Sequence, residues 1–260
     1  MRILVCVKRV PMTGGKMVLT ADEQAIETRH LGFTISPHEE CAVEEAVRIV
    51  KASTDAGGKG ETVVLTLGPA EAEEQLRDCM AIGADRGILL KTDGTDWDAQ
   101  STAGAIVDAI QTEEPFDLIL FGNESADTGN YQVGIRVAYA LGLPIVNGLK
   151  KIELQVDSTG RTELRCEREA EGARDVYVVP MPAVLSVLEG LNLPRYPSVP
   201  GRLRAKSKPL AVVELARPAQ ELQTLRLVVP PGQGKQAEIL GRGPEAAPKV
   251  VELMQQLGVA

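Results

Sequence analysis

Aromatic residues make up only 3% of this chain of 260 residues. Its core must therefore be built from Val, Leu, Ile and Ala, which favours layered α/β packing over an aromatic-rich β-sandwich. Basic charge is not in excess either. The formal net charge is −8, so no global basic face argues for nucleic acid. Cysteine is sparse: Cys6, Cys41, Cys79 and Cys166 are dispersed with no Cys-x-x-Cys, and read as small core hydrophobes in a reducing compartment. Only His30 and His38 could assist them, so a zinc site is not expected. No apolar run approaches membrane-spanning length. The N-terminus, Met1-Arg-Ile-Leu-Val-Cys-Val-Lys8, turns charged too soon for a signal peptide and reads as a first strand. The expected location is the cytoplasm.

What remains is ordinary for a globular protein: 44% apolar and 25% charged residues, in a chain long enough to bury a substantial core as one large or two small domains. A strand at 2–7 is followed by an unusually long loop to about Ser36, whose length hints at binding. Ser36-Pro37-His38-Glu39 has the form of a helix start, with Ser as N-cap, Pro in the first turn and Glu three residues on. Val43, Ala46, Val47 and Val50 then line one helical face. Strands are predicted at 61–67, 86–91 and 116–122, and helices at 70–82, 96–112 and 129–141. This alternation predicts a doubly wound, mostly parallel sheet, whose ligands sit at the carboxyl ends of the strands. Residues 6–8, 67–69 and 122–127 occupy such ends.

The chain is organised around residues 122–134, Gly-Asn-Glu-Ser-Ala-Asp-Thr-Gly-Asn-Tyr-Gln-Val-Gly. They join a buried strand to a helix with apolar spacing at Val133, Val137, Ala140 and Leu141. Free backbone N–H groups and a positive helix end there suit a phosphate. Composition alone leaves a plain βα loop equally open. The stretch has neither a phosphate-loop Lys nor a Gly-x-Gly-x-x-Gly, so shape does not name the ligand.

Past Gly142-Leu-Pro144 the pattern changes. Residues 152–156 and 162–166 flank the turn Asp157-Ser-Thr-Gly160 as a hairpin. Further short strands at 176–179 and 183–187 complete a predicted antiparallel extension. Residues 190–208 carry Pro194, Pro197 and Pro200 beside Arg195, Arg202, Arg204, Lys206 and Lys208. No regular helix is expected there, and the segment reads as either a solvated basic linker or an exposed docking loop. The tail ends in a short helix near 250–257, with little core of its own, as suits an arm laid on another chain. Gly232-Gln-Gly-Lys235 and Gly241-Arg-Gly243 mimic nucleotide motifs without the strand–helix frame these need. Ser125 is not framed as a nucleophile elbow. Glu167-Arg168-Glu169 reads as a salt-bridged surface in preference to a general-base pair.

Taken in order, Val5-Cys-Val-Lys-Arg-Val10, Ala42-Val-Glu-Glu-Ala-Val47, Gly68-Pro69, Ala81-Ile-Gly-Ala-Asp-Arg-Gly87, the 122–134 loop, Pro182-Ala-Val-Leu-Ser186 and Asn192-Leu-Pro-Arg-Tyr196 ahead of Ala205-Lys206 resemble the β subunit of the electron transfer flavoproteins over nearly the whole chain. The resemblance implies an α/β fold of the adenine-nucleotide-binding type with an extended C-terminal arm. It divides the chain into a nucleotide-binding domain at 1–190, a docking loop at 191–208 and a partner-contacting arm at 209–260. It implies a heterodimer with an α subunit that carries most of the contacts to a redox FAD, and a structural AMP in this chain. Electrons would come from acyl-CoA and related dehydrogenases of fatty acid oxidation and pass to a quinone reductase. This subunit would be a carrier component and not an enzyme.

Carried over by position, the AMP contacts fall on Cys6, Ser36, Pro37, His38, Glu39, Leu67, and Gly122, Asn123, Glu124, Ser125, Ala126, Asp127, Thr128, Gly129, Asn130, Tyr131, Gln132 and Val133. Backbone N–H groups of about residues 130–133 would hold the phosphate. Docking falls on Arg195, Tyr196, Val199, Arg204 and Lys206, with Val199 at a position usually occupied by Leu. Glu169 matches an acidic position near the flavin of the α subunit. Val133 stands where a Thr would assist a phosphate, and Thr13 where some members have a flavin-facing Tyr. Gln132-Val-Gly134 also resembles the variant subfamily that holds a second FAD in place of AMP and bifurcates electrons. A third alternative is a stress-protein-like nucleotide-binding module, which shares the sheet but predicts ATP binding, homodimers and no role for 190–260.

Overall fold

The computed structural model describes residues 1–14, 17–216, 222, 224–230 and 239–259. The chain opens with β1 (Arg2–Cys6), the two-residue strands β2 (Val10–Pro11) and β3 (Phe33–Thr34), and helix α1 (Pro37–Asp55). There follow β4 (Glu61–Gly68), α2 (Glu73–Ile82), β5 (Arg86–Lys91), α3 (Ala99–Gln111), β6 (Leu118–Gly122) and α4 (Val133–Leu141). Then come β7 (Ile145–Val156), β8 (Thr162–Ala170), β9 (Ala173–Pro180), β10 (Ala183–Val187), α5 (Val199–Ala205), β11 (Leu210–Glu214) and α6 (Ala247–Gln256).

Nine strands form one sheet in the order β11-β5-β4-β1-β6-β10-β7-β8-β9. Pairing is parallel from β11 through β7 and antiparallel at β7–β8 and β8–β9. The α/β fold with a mostly parallel, doubly wound sheet is thus the one expected. Each central strand is apolar on both faces, because helices cover both. Ile3 and Val5 of β1 and Leu118 and Leu120 of β6 belong to a core with α1 and α2. The alternate residues Leu4, Cys6, Ile119 and Phe121 belong to a second core with α3 and α4. The period of two is the strand's own geometry.

Three local expectations change. Residues 183–187 do not extend the antiparallel hairpin: β10 lies between β6 and β7, parallel to both. Its five residues are all buried, four of them apolar and the fifth, Ser186, hydrogen-bonded, as suits an interior strand. The segment expected to contain no regular helix forms α5. Pro200 sits in its first turn, where a missing N–H is harmless, and the Ser198 side chain accepts from Gly201 N at 3.1 Å. Finally, α4 begins at Val133 and not at 129, because Gly129 and Tyr131 adopt left-handed φ of 55°, which interrupts a right-handed helix. At the other end of α4 the left-handed position, Gly142 at φ 66°, is a glycine cap of the usual kind.

Residues 210–214, assigned from sequence to the arm, add the edge strand β11 beside β5. The pseudo-phosphate loop 232–235 lies outside the described residues, and 241–243 is irregular. Among the described residues no helix is long and apolar enough to cross a membrane.

Candidate functional site

From β1 the chain steps outward to β4 and β5, then returns to place β6 on the other side of β1. The loops leaving β1 and β6 therefore diverge, and a crevice opens at their carboxyl ends. A cleft of about 310 Å³ lies there, lined by Ser36, Pro37, His38, Glu189 and the run 124–129. That volume is at the small end of ligand pockets.

One carboxylate fixes the floor. The Glu39 Oε2 accepts from Ser36 N and its Oε1 from Lys8 N, both at 2.9 Å. The Ser36 hydroxyl in turn accepts from Glu39 N at 3.2 Å. This reciprocal capping box thus also holds the end of β1. Burial pushes the Glu39 carboxyl up to about 8, against the downward pull of the Ser36 and Lys8 amides and the Lys8 charge. Gly122 is needed above it: a Cβ there would stand 2.8 Å from Glu39 Cγ and 3.2 Å from Glu39 N.

The wall is the 123–129 loop. Thr128 N donates to Asp127 Oδ1 at 2.7 Å, and Gly129 N to Ser125 O at 3.2 Å. Asp127 Oδ2 is 2.6 Å from Lys8 Nζ. Burial works to raise the Asp127 carboxyl, but the Lys8 ammonium, with hydrogen bonds from Lys8, Ser125 and Thr128, outweighs it and holds the group below the ordinary Asp range. The loop is anchored from behind by Asn123 N, which donates to Val187 O at 2.9 Å. Ser186 shares its one hydroxyl proton between Asn123 Oδ1 and Asn147 Oδ1, 3.0 Å from each, while accepting from Gly148 N.

The structure therefore gathers Ser36, Pro37, His38 and 124–129 around one cleft. Glu39 and Gly122 lie in its frame. Cys6 is buried beneath, its thiol pushed far up by burial and the Glu39 charge. Leu67 packs in the core with α3 and does not line the cleft. Asn130, Tyr131 and Gln132 form the exposed lead into α4, and Val133 is its first residue. Lys8 falls within the strand end 6–8 expected to face a ligand but is not among the residues assigned to it, and Glu189 escapes the sequence reading altogether. Glu189 becomes visible only once β10 is known to neighbour β6. His38 Nδ1 is buried with no hydrogen-bond partner among the described residues. An acceptor or donor unspent at the cleft wall fits a polar ligand, as does the exposed N-terminus of α4. No group of three or more His, Cys, Asp or Glu among the described residues could hold a metal ion.

A second constellation surrounds α5. Arg195 grips the buried Glu44 of α1 through three bonds: its N at 3.2 Å, and its Nε and Nη2 at 2.8 Å. Asn192 Nδ2 donates to Cys41 O and Glu45 Oε2. Beyond α5, Arg77 Nη1 donates to Ala205 O and Lys208 O at 2.8 Å, and Lys208 Nζ to Met80 O and Ala84 O. Between these anchors Leu193 and Tyr196 are 89% and 92% exposed, and Val199 and Leu203 are exposed beside Arg202 and Arg204. On the hairpin, Glu169 is exposed on β8 opposite Arg174. Glu167 forms salt bridges with Lys151, Arg165 and Arg174 and Arg168 with Asp175, but Glu167 is buried and not on the expected surface.

Comparison with known proteins gives a consistent result. Residues 25–218 match the electron transfer flavoprotein domain. The chain is 36% identical over 255 residues to the electron transfer flavoprotein subunit beta of Syntrophomonas wolfei, covering 98% of this chain and 96% of that one. It is 31% identical over 265 residues to the subunit of the same name from Bacillus subtilis, covering 98% of each. Against the mitochondrial subunit of Arabidopsis thaliana it is 34% identical over 210 residues, covering 81% of this chain and 80% of that one.

Proposed function

The chain belongs to the electron transfer flavoprotein family as a β subunit, and from that premise we propose that it is the non-catalytic half of a cytoplasmic heterodimeric electron carrier with a structural AMP in its cleft. The observation that carries the nucleotide is the crevice between β1 and β6, walled by 124–129 and floored by the α1 capping box. The adenylate phosphate would meet the backbone N–H groups ahead of α4, and His38 Nδ1 would gain a partner. In this reading the flavin, held mainly by the α subunit, supplies the redox chemistry, while Thr13 and Glu169 face it from this chain. Residues 1–190 form the nucleotide-binding domain, 191–208 dock on acyl-CoA dehydrogenases and related flavoenzymes of fatty acid oxidation, and 209–260 reach the α subunit. A quinone reductase takes the electrons onward.

Nucleotides released from the denatured heterodimer and separated by chromatography test this reading. One FAD and one AMP per heterodimer is the expected result. Two FAD would replace it with the bifurcating alternative. ATP without flavin, on a homodimer, would favour the stress-protein-like one.

Docking through Val199 gives a second expected result. Leu in its place adds one methylene, worth ~0.8 kcal/mol when buried, on an exposed position at the start of α5 with room to accept it. Val199→Leu should lower the KM of a donor dehydrogenase for the carrier by up to about fourfold. An unchanged or raised KM in steady-state assays would remove Val199 from the docking surface.

A further inference from the structure

We infer that Arg195 is a positioning residue whose grip on Glu44 holds residues 192–205 in their docking shape before any partner arrives. The inference rests on the docking reading above and deepens it. Leu193, Tyr196, Val199 and Leu203 form an apolar exposed tip with Arg202 and Arg204 beside it. A partner that fits this tip presents an apolar hollow rimmed by carboxylates. Exposed aromatic and Arg side chains of this kind tend to dominate binding when they are buried.

Such a tip binds well only if its order is already established. Residues 188–198 form no helix or strand, and a free segment of that kind loses its conformational entropy at the moment of binding. Two clamps remove that loss here. On the α2 side, Arg77 and Lys208 tie the end of α5 and the residues after it through four bonds to backbone carbonyls. On the α1 side the clamp is Arg195, whose planar fork engages both oxygens of Glu44 while its own amide engages one of them again. Glu44 is 4% exposed on its side chain and is shared with Arg48 at 3.4 Å. The carboxylate is thus met from its own helix as well as by Arg195. Tyr196, the residue after Arg195, makes none of these contacts and projects into solvent. The amide and side chain of one residue thus set where the next one points. Lys in place of Arg would keep the charge and lose the fork.

The test uses the intact heterodimer carrying Arg195→Ala, Arg195→Lys, or Tyr196→Ala with Val199→Ala. Two readouts are taken: KM and kcat of a donor dehydrogenase with the carrier as acceptor, and hydrogen exchange of the 191–206 amides. Arg195→Ala is expected to raise KM about tenfold with kcat nearly unchanged, and to speed exchange across 191–206 but not across 122–134. Arg195→Lys should fall between it and wild type, and remains informative if the Ala variant does not fold. Unchanged exchange and unchanged KM in both Arg195 variants would overturn the inference. If Tyr196→Ala with Val199→Ala raises KM while the Arg195 variants do not, the docking reading stands and the clamp alone falls. If exchange quickens but KM moves in none of the variants, the docking reading falls and takes this inference with it.

Discussion

Glu39→Gln should destabilise the protein by roughly 1–3 kcal/mol near neutral pH, the usual effect of leaving one buried donor without a partner. Both carboxyl oxygens of Glu39 accept backbone N–H groups, one from Lys8 and one from Ser36. Gln keeps the shape but offers one oxygen and an NH₂ group that accepts nothing. One of the two amides is then orphaned at a fully packed point, with Gly122 and Cys6 against it. Because those amides belong to the end of β1 and the cap of α1, nucleotide affinity should fall in the same variant.

The effect also has a pH signature. Burial raises the Glu39 carboxyl from the usual 4.5 to about 8, with the two amides and the Lys8 charge opposing. Between these two values the native state keeps a proton that the unfolded chain has released. The group's stabilising contribution is complete below about 4.5 and is lost as pH rises through about 8. Gln does not titrate, so the gap between wild type and variant should be widest at pH 5 and narrowest at pH 8.5. Urea unfolding at pH 5, 7 and 8.5 measures it. A gap that is the same at all three would remove the bound proton, and no gap at any would remove Glu39 from its place as keystone.

That keystone was half legible in the sequence. Ser36-Pro37-His38-Glu39 announces a capping box through local spacing alone, and the structure contains it. The bond from Lys8 to Glu39 is invisible in the same way, because 31 residues separate them. The parallel sheet was legible because each apolar run covers both faces. The place of β10 was not: a short buried strand carries no mark of its neighbours, and the preceding hairpin suggested one more antiparallel turn. Without that placement Glu189 could not be seen at the cleft, nor Ser186 behind Asn123. The start of α4 was misjudged because apolar spacing fixes a helix's buried face and not its first turn. Tyr131, with its left-handed φ, is a residue type that gives no warning of that conformation. Likewise Pro200 reads as a helix breaker in the sequence, but its effect depends on which turn it occupies.

Removing residues 216–260 should leave this domain folded and abolish stable pairing with the α subunit, with affinity falling at least ~100-fold, or ~2.7 kcal/mol. The cut must follow β11 and not precede it. Leu210–Glu214 pairs with β5 along its whole length, and a deletion from 209 would expose that edge and confuse unfolding with lost pairing. Beyond the sheet, the described residues of the tail meet the body at a few hydrogen bonds. Leu222 N donates to Asp98 Oδ2 at 3.4 Å, Gln24 Nε2 to Leu225 O, and Leu227 N to Glu23 O at 2.7 Å. Then comes α6, whose Val250, Val251, Leu253 and Met254 are all exposed, as is Leu257 at its C-cap. Ten residues make a marginal helix in water when nothing covers their apolar side, which is the ground for expecting the arm to lie on the α subunit. Five partly exposed apolar side chains can each contribute on the order of 1 kcal/mol when covered. Met254→Asp with Leu257→Asp should reproduce most of the loss without shortening the chain, since charges in a buried apolar seam are strongly disfavoured. Gel filtration of the co-expressed pair, with thermal unfolding of the β chain alone as the control, separates the possibilities. A truncated chain that still elutes with the α subunit at wild-type affinity would mean that the partner is held by the sheet's own surface and that the arm has another use.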